Sequence, residues 1–348
     1  MNNKVSKVDK LSIIVPVHDG VTSGLKDSLK SILSQDYENI ELIVVDDASS
    51  DFSADLVNQL CAPPRCKKIV HQSNKGLAAS LNDGVSLASG EYIMIVQQDC
   101  ALLSNDTLSK SIKFMSVTKN VDILVGRQIY DLKNLNFYQK FSEFSLDHFS
   151  LYTSASHELD LTENKCDVIR RRTMEKIGLF DISQRVSGED QVFSNRALEL
   201  GFHMYLGEDP KFVNQLLGEN TLSKVLKKHY RYGRYSWSLY KKIYRNKSLS
   251  ISKKSYSTGK IYNRVLSVFF SLASLIFLAL FLFTLFYAFF FVLLLILAVR
   301  IFFGYKKLSA LKRNLYIPNF PWIIASGLLI LTDIAFSIGL VINLFVQI

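Results

Sequence analysis

Three sets of carboxylates stand at the ends of apolar runs. Asp46-Asp47 close the run Ile40–Val45, Asp99 follows Tyr92–Val96 and Gln97-Gln98, and Glu189-Asp190 open a later helical pattern. An open α/β sheet gathers its ligands outside the carboxyl ends of its strands. Acids placed there can accept from a nucleobase N–H, hold a divalent cation, or take the proton of an attacking hydroxyl. Each set also has a plainer reading. Asp47 suits a turn cap, with Ser49, Ser50 and Asp51 behind it. Asp99 suits a strand-end cap, and adjacent acids at a helix start suit the macrodipole. A cationic counterpart lies in K-H-Y-R-Y-G-R-Y, where Arg231 and Arg234 could grip a diphosphate bidentately or meet lipid headgroups.

The elements that must position these groups are legible as alternating patterns. Leu11–Val17 is an apolar run closed by Pro16 and the turn-like His18-Asp19-Gly20. Leu25, Leu29, Ile32 and Leu33 recur at helical spacing, and Ile40–Val45 is the next strand. A short helix around Leu56, Val57 and Leu60, a strand at Lys67–Val70, a helix through Leu77–Ala88 stopped by Gly90, and a strand at Glu91–Val96 follow. Strands alternating with helices imply βαβ units and a mostly parallel sheet. Beyond Asp99 the pattern loosens: Val121–Val125 reads as a strand, residues 134–164 as helix and loop over the sheet, and Glu189–Leu200 as a helix stopped by Gly201.

Charge and hydropathy divide the chain. The net charge of +10 comes from residues 221–264, which hold thirteen Lys or Arg and no acid; elsewhere 28 basic and 31 acidic residues give −3. Such a block beside apolar segments reads as contact with anionic lipid, and a nucleic-acid site would want it on the folded domain. Within it Leu222, Leu226, Tyr230, Gly233, Trp237, Tyr240 and Tyr244 form one helical stripe, the pattern of an amphipathic helix in the membrane interface. Residues 265–305 and 322–346 are almost wholly apolar and exceed the roughly 20 residues of one span. A single helix over the first run would be about 60 Å long, against a hydrocarbon core of about 30 Å. Three spans follow, at 267–283, 286–304 and 323–345, the first two a hairpin. The hairpin keeps both basic groups on the cytoplasmic side. The polar N-terminus lacks a signal peptide's apolar core. Cys61, Cys66, Cys100 and Cys166 have no metal-ligand spacing and read as reduced, buried thiols.

From Leu11 to about Gly201 the sequence resembles the family 2 glycosyltransferases, which have the GT-A fold. The resemblance is carried by S-I-I-V-P-V-H-D-G at Ser12–Gly20, V-V-D-D-A-S-S-D at Val44–Asp51 and N-K-G-L-A-A-S-L-N-D-G at Asn74–Gly84. Q-Q-D at Gln97–Asp99, I-R-R at Ile169–Arg171, G-L-F-D at Gly178–Asp181 and G-E-D at Gly188–Asp190 complete it. It implies a GT-A catalytic domain over residues 1–220, then the basic interface segment 221–264 and a membrane region 265–348. Pro16, Val17, Asp47, Asn74, Gly76, Gln97, Gln98 and Asp99 would bind a nucleotide-diphosphate sugar, with Mg²⁺ or Mn²⁺ on Asp99. Asp190 would be the general base of an inverting transfer, and Glu189, Arg231 and Arg234 would meet the acceptor or the diphosphate. The implied enzyme is a multi-pass membrane protein with a cytoplasmic catalytic domain and a lipid-linked or membrane-proximal acceptor. Two positions depart from the family pattern: Ser80 stands where an Arg is usual, and Gln97 where the metal triplet has its first Asp. These departures motivate an alternative, a catalytically silent scaffold that binds a nucleotide sugar or lipid.

Overall fold

The computed structural model describes residues 9–146, 155–184 and 188–245, and helical pieces at 269–270, 272–278, 292, 294–300, 302, 328–329 and 331–338. The chain divides into two compact units, Met1–Asp131 with Ala155–Leu217, and Leu132–Ser154 with Gly218–Ile348.

The first unit opens as the apolar periodicity requires. Strands β1 (Leu11–Val17), β2 (Ile40–Asp46), β3 (Cys66–Val70) and β4 (Tyr92–Ile95) alternate with helices α1 (Leu25–Leu33), α2 (Ser53–Leu60) and α3 (Leu77–Leu87). These four strands are mutually parallel, in the order β3-β2-β1-β4. Every residue of β1 is buried, because helices cover the sheet. Leu11, Ile13, Val15 and Val17 pack with Leu25, Leu29 and Ile32 of α1 in one core. Each such side chain contributes about 1.5–3 kcal/mol on full burial. Gly84 of α3 permits close packing on β1, since a Cβ there would lie 2.4 Å from Ile14 Cγ2.

The rest of the unit corrects the expectation of a mostly parallel sheet. Added to the parallel half are β5 (Cys100–Leu102), α4 (Thr107–Val117), β6 (Ile123–Gln128), β7 (His157–Leu159), β8 (Asp167–Arg170), α6 (Arg171–Ile177), α7 (Glu189–Glu199) and β9 (Met204–Asn214). The full order is β3-β2-β1-β4-β8-β6-β9-β5, with β7 on β9. Strand β8 runs antiparallel to both β4 and β6, and β9 antiparallel to β5 and β7, so the sheet is mixed. The physical reason is the connection: β8 returns through a long excursion after β6 and enters beside β4 from the opposite end. Arg170 fixes that strand structurally. Its guanidinium reaches the carbonyls of Val121, Met115 and Thr118 and lies over the Tyr92 ring.

In the second unit, α5 (Phe137–Ser145) starts with a capping box between Asn136 and Gln139. The basic helix α8 spans Leu222–Arg245. Its inward positions are Val225, His229 and Gly233, offset by one residue from most of the expected stripe. Leu222, Leu226 and Tyr230 stay half-exposed and line an apolar groove with Ala335 and Ile338. His229 meets Ser145 Oγ at 2.9 Å, and a Cβ on Gly233 would collide with the Phe336 carbonyl. Arg300 pairs with Asp333 between two helical pieces. Most of the three expected spans lies outside the described residues. Among the described residues no helix is long and apolar enough to cross a membrane.

Candidate active site

At the carboxyl ends of β1 and β2, short polar side chains tie two loops together. Asp47 N donates to Val17 O at 2.8 Å, which is what Val17 contributes; its side chain and Pro16 are buried in β1. Asp19, in the left-handed region that Asp tolerates, accepts from Ser50 N at 2.7 Å. Gly20 N donates to Ser53 Oγ at 2.7 Å, and Val21 N to Asp51 Oδ2 at 3.0 Å. Residues 50–53 therefore fix the loop after β1, Ser50 as a donor and Asp51 and Ser53 as acceptors. Asp46 is the turn cap of its pair, accepting from Ser49 N at 2.9 Å.

Asp47 reaches the next loop instead. Its Oδ1 accepts from Lys75 N at 2.7 Å and its Oδ2 from Gly76 N at 2.8 Å. Gly76 has φ +91°, a conformation that favours glycine, just before α3. His71, at the end of β3, places Nδ1 2.7 Å from Asp47 Oδ1 and Nε2 2.8 Å from Asp83 Oδ2. Burial pushes the Asp47 carboxyl up, but the His71, Lys75 and Gly76 bonds outweigh it and hold the group below its ordinary range. Asn74 is exposed beside this carboxylate, its amide 3.2 Å from His18 Nε2, while His18 Nδ1 faces Asp47 O at 3.0 Å.

The Q-Q-D turn follows β4. Gln98 is a brace: its Oε1 accepts from His18 N at 2.8 Å, and its Nε2 donates to His18 O at 3.0 Å and Ser23 Oγ at 2.8 Å. Gln97 turns the backbone, its carbonyl accepting from Cys100 N at 2.9 Å. Asp99 is half-buried, and its carbonyl accepts from Gln215 N at 3.0 Å. Among the described residues no group of three His, Cys, Asp or Glu could hold a metal ion. The carboxylate at this turn, Asp99, is a hard ligand of the kind that suits Mg²⁺ or Mn²⁺ once a diphosphate supplies further oxygens. Ser80 is buried in α3, its hydroxyl bonded to Gly76 O at 3.3 Å.

Asp190 is brought to this edge through β8. Asp167, the first residue of β8, pairs with Ile95 at the end of β4, so the segment before Asp167 runs beside the Q-Q-D turn. Thr162 of that segment donates its N–H to Ser194 Oγ at 3.0 Å, and Ser194 Oγ bonds Asp190 O at 2.7 Å. The G-L-F-D loop is clamped from α3, with Asn82 bonding both Phe180 N (2.8 Å) and Phe180 O (2.9 Å). Arg196 donates to Leu179 O at 2.7 Å, and Phe180 stacks on Phe193 at 4.7 Å. Gly188, at φ +99°, then starts α7. Glu189 is buried and Asp190 half-buried. Burial first, then the Asp190 charge, pushes the Glu189 carboxyl up to about 8. Arg231 and Arg234 lie on α8 of the second unit, Arg231 exposed and Arg234 half-buried.

Sequence reasoning missed His71, Asn82 and the bracing role of Gln98. His71 had a signal, a histidine at the end of a strand parallel to that of Asp47. Asn82 had none, because its partner is 98 residues away.

The family description "Glycosyl transferase family 2" matches residues 12–178. This stretch, just under half of the chain, is similar to that family. Its relatives include Glycosyltransferase GlyG of Streptococcus pneumoniae, 36% identical over 132 residues, covering 37% of this chain and 42% of that protein. An uncharacterized glycosyltransferase of Haemophilus influenzae is 38% identical over 106 residues, covering 30% of this chain and 42% of that protein. The matched stretch is thus less than half of either relative's length. Among solved structures, the mannosyltransferase PcManGT from Pyrobaculum calidifontis, in complex with GDP-Man and Mn²⁺, aligns with TM-score 0.59 and 17% identity, covering 99% of this chain and 89% of that one. The domain therefore has a GT-A-like α/β fold with a mixed central sheet.

Proposed function

We propose that the protein is a membrane-anchored inverting glycosyltransferase that moves one sugar from a nucleotide-diphosphate donor to a lipid-linked or membrane-proximal acceptor at the cytoplasmic face. The observation that supports the reading is that Asp47 and Asp99 follow the parallel strands β2 and β4 at the same end of the sheet, and that Asp190 is tied through Ser194 and Thr162 to the segment entering β8 at that end. Asp47 reads the base, with Asn74 and Gly76 shaping the loop beside it. Asp99 would hold Mg²⁺ or Mn²⁺ together with the donor diphosphate, and the cation neutralises charge on the leaving group when bound. Gln97 meets the ribose, and Asp190 takes the acceptor proton as its oxygen attacks the anomeric carbon opposite the diphosphate. Glu189, kept neutral by burial, supports the helix start on the acceptor side. Arg231 and Arg234 are assigned to phosphate, of the donor or of lipid headgroups. The relatives named as glycosyltransferases and the GT-A-like neighbour support the donor class.

The test is transfer of labelled sugar. Membranes carrying the full chain are incubated with UDP-, GDP- and dTDP-sugars and Mg²⁺ or Mn²⁺. The reading predicts label in the lipid-extractable fraction and free nucleoside diphosphate in solution. The silent scaffold, which the Ser80 and Gln97 departures favour, predicts nucleotide binding without either product. Topology is tested separately by a single cysteine at Ser309 in a background lacking the native ones. Labelling from outside sealed cells would reject the three-span arrangement.

A further inference from the structure

A carboxylate has about four acceptor positions. At Asp47 three are filled from within the protein. His71 Nδ1 and Lys75 N, both at 2.7 Å, occupy Oδ1, and Gly76 N at 2.8 Å takes one position on Oδ2. Among the described residues Oδ1 is complete and Oδ2 keeps one place. The side chain retains 5% exposure, the only part a base edge could cover. His71 cannot turn away, because its ring is buried and its other nitrogen is 2.8 Å from Asp83 Oδ2. Lys75 Nζ lies 3.4 Å from the same Asp83 oxygen and extends the chain of contacts outward.

Bases differ in what they offer such a group. Guanine presents N1–H and N2–H side by side and is matched by two free carboxylate oxygens. Uracil and thymine present one imide N–H between two carbonyls and need a single acceptor. We infer that His71 is a positioning residue that occupies Oδ1 of Asp47, leaves it one accepting place, and so selects a uridine or thymidine diphosphate donor against a guanosine one. The inference rests on the assignment of Asp47 to the base.

The experiment is calorimetric titration of the full chain with UDP, dTDP and GDP, each with Mn²⁺, for wild type, His71→Ala, His71→Asn and Asp47→Ala. One hydrogen bond to a charged group separates the bases, so wild type should bind UDP or dTDP about tenfold or more tighter than GDP. UDP against dTDP then tells uracil from thymine donors. His71→Ala frees Oδ1 and should bring the ratio to GDP toward one. His71→Asn, which can still donate to Oδ1, should retain more of it. GDP bound as tightly as UDP and dTDP by wild type overturns the inference. So does an unchanged ratio in His71→Ala when Asp47→Ala weakens binding. If Asp47→Ala leaves all three affinities unchanged, the assignment of Asp47 to the base has itself failed.

Discussion

In the parallel half of the sheet, Asp47 and the loops around it are fixed mainly by backbone N–H groups and short side chains of neighbouring strand ends. In the antiparallel half, Asp190 depends on side chains that reach it from elsewhere, such as Asn82 on Phe180 and Ser194 on Thr162. The first arrangement gives a preformed cradle whose acceptors are already counted out. The second gives a helix start whose place is set by packing. On the proposed function this contrast is a division of labour, with donor binding in the cradle and chemistry at the packed helix.

The sharpest way to break this division is at Asp190. Asp190→Asn keeps the shape but cannot take a proton, so turnover should fall by about 10²–10⁴ with donor affinity kept. Rapid-quench kinetics at saturating donor reads this. Asp99→Asn should come next, removing the gain in donor affinity on adding Mn²⁺, as read by titration with and without the ion. An unchanged gain would take Asp99 out of metal binding.

Asn82→Ala sharpens the comparison from the structural side. It leaves the buried Phe180 N–H and carbonyl without partners, at about 1–3 kcal/mol for each group. Denaturant melts should show the loss, and turnover should drop while nucleotide affinity holds. Equal losses of affinity and turnover would mean that the two halves are not separable.

A further expected effect concerns the dependence of stability on pH. The Glu189 carboxyl is raised on folding from 4.5 to about 8, so between these values the native state keeps a proton that the unfolded chain has lost. Stability should therefore fall as pH rises through this window. Glu189→Gln is neutral throughout and should flatten the slope, leaving the part due to Asp167, which burial raises to about 7. Thermal melts across this range check it, and parallel slopes in the two proteins would contradict it.

Legibility in the sequence followed the same division. Strands β1 to β4 and their helices are local patterns with turn residues between them, and Asp47, Asp99 and Asp190 fall where strand ends and a helix start put them. Strands β7 and β8 were not legible, since three- and four-residue strands carry too little periodicity and their direction is set by long-range pairing. The face of α8 that packs inward, with Val225, His229 and Gly233, was not legible because aromatic and aliphatic side chains wrap much of that helix. His71 was overlooked although it stands just after β3, beside the strand end that carries Asp47.

The central claim is the separation of donor binding from proton transfer, and one paired measurement addresses it. Donor dissociation constants and single-turnover rates at saturating donor are determined together for wild type, Asp47→Ala and Asp190→Asn. The account predicts a crossed result, with Asp47→Ala raising the dissociation constant and sparing the rate, and Asp190→Asn sparing the constant and lowering the rate. A near-wild-type rate in Asp190→Asn, or the same parameter moving in both variants, would contradict it.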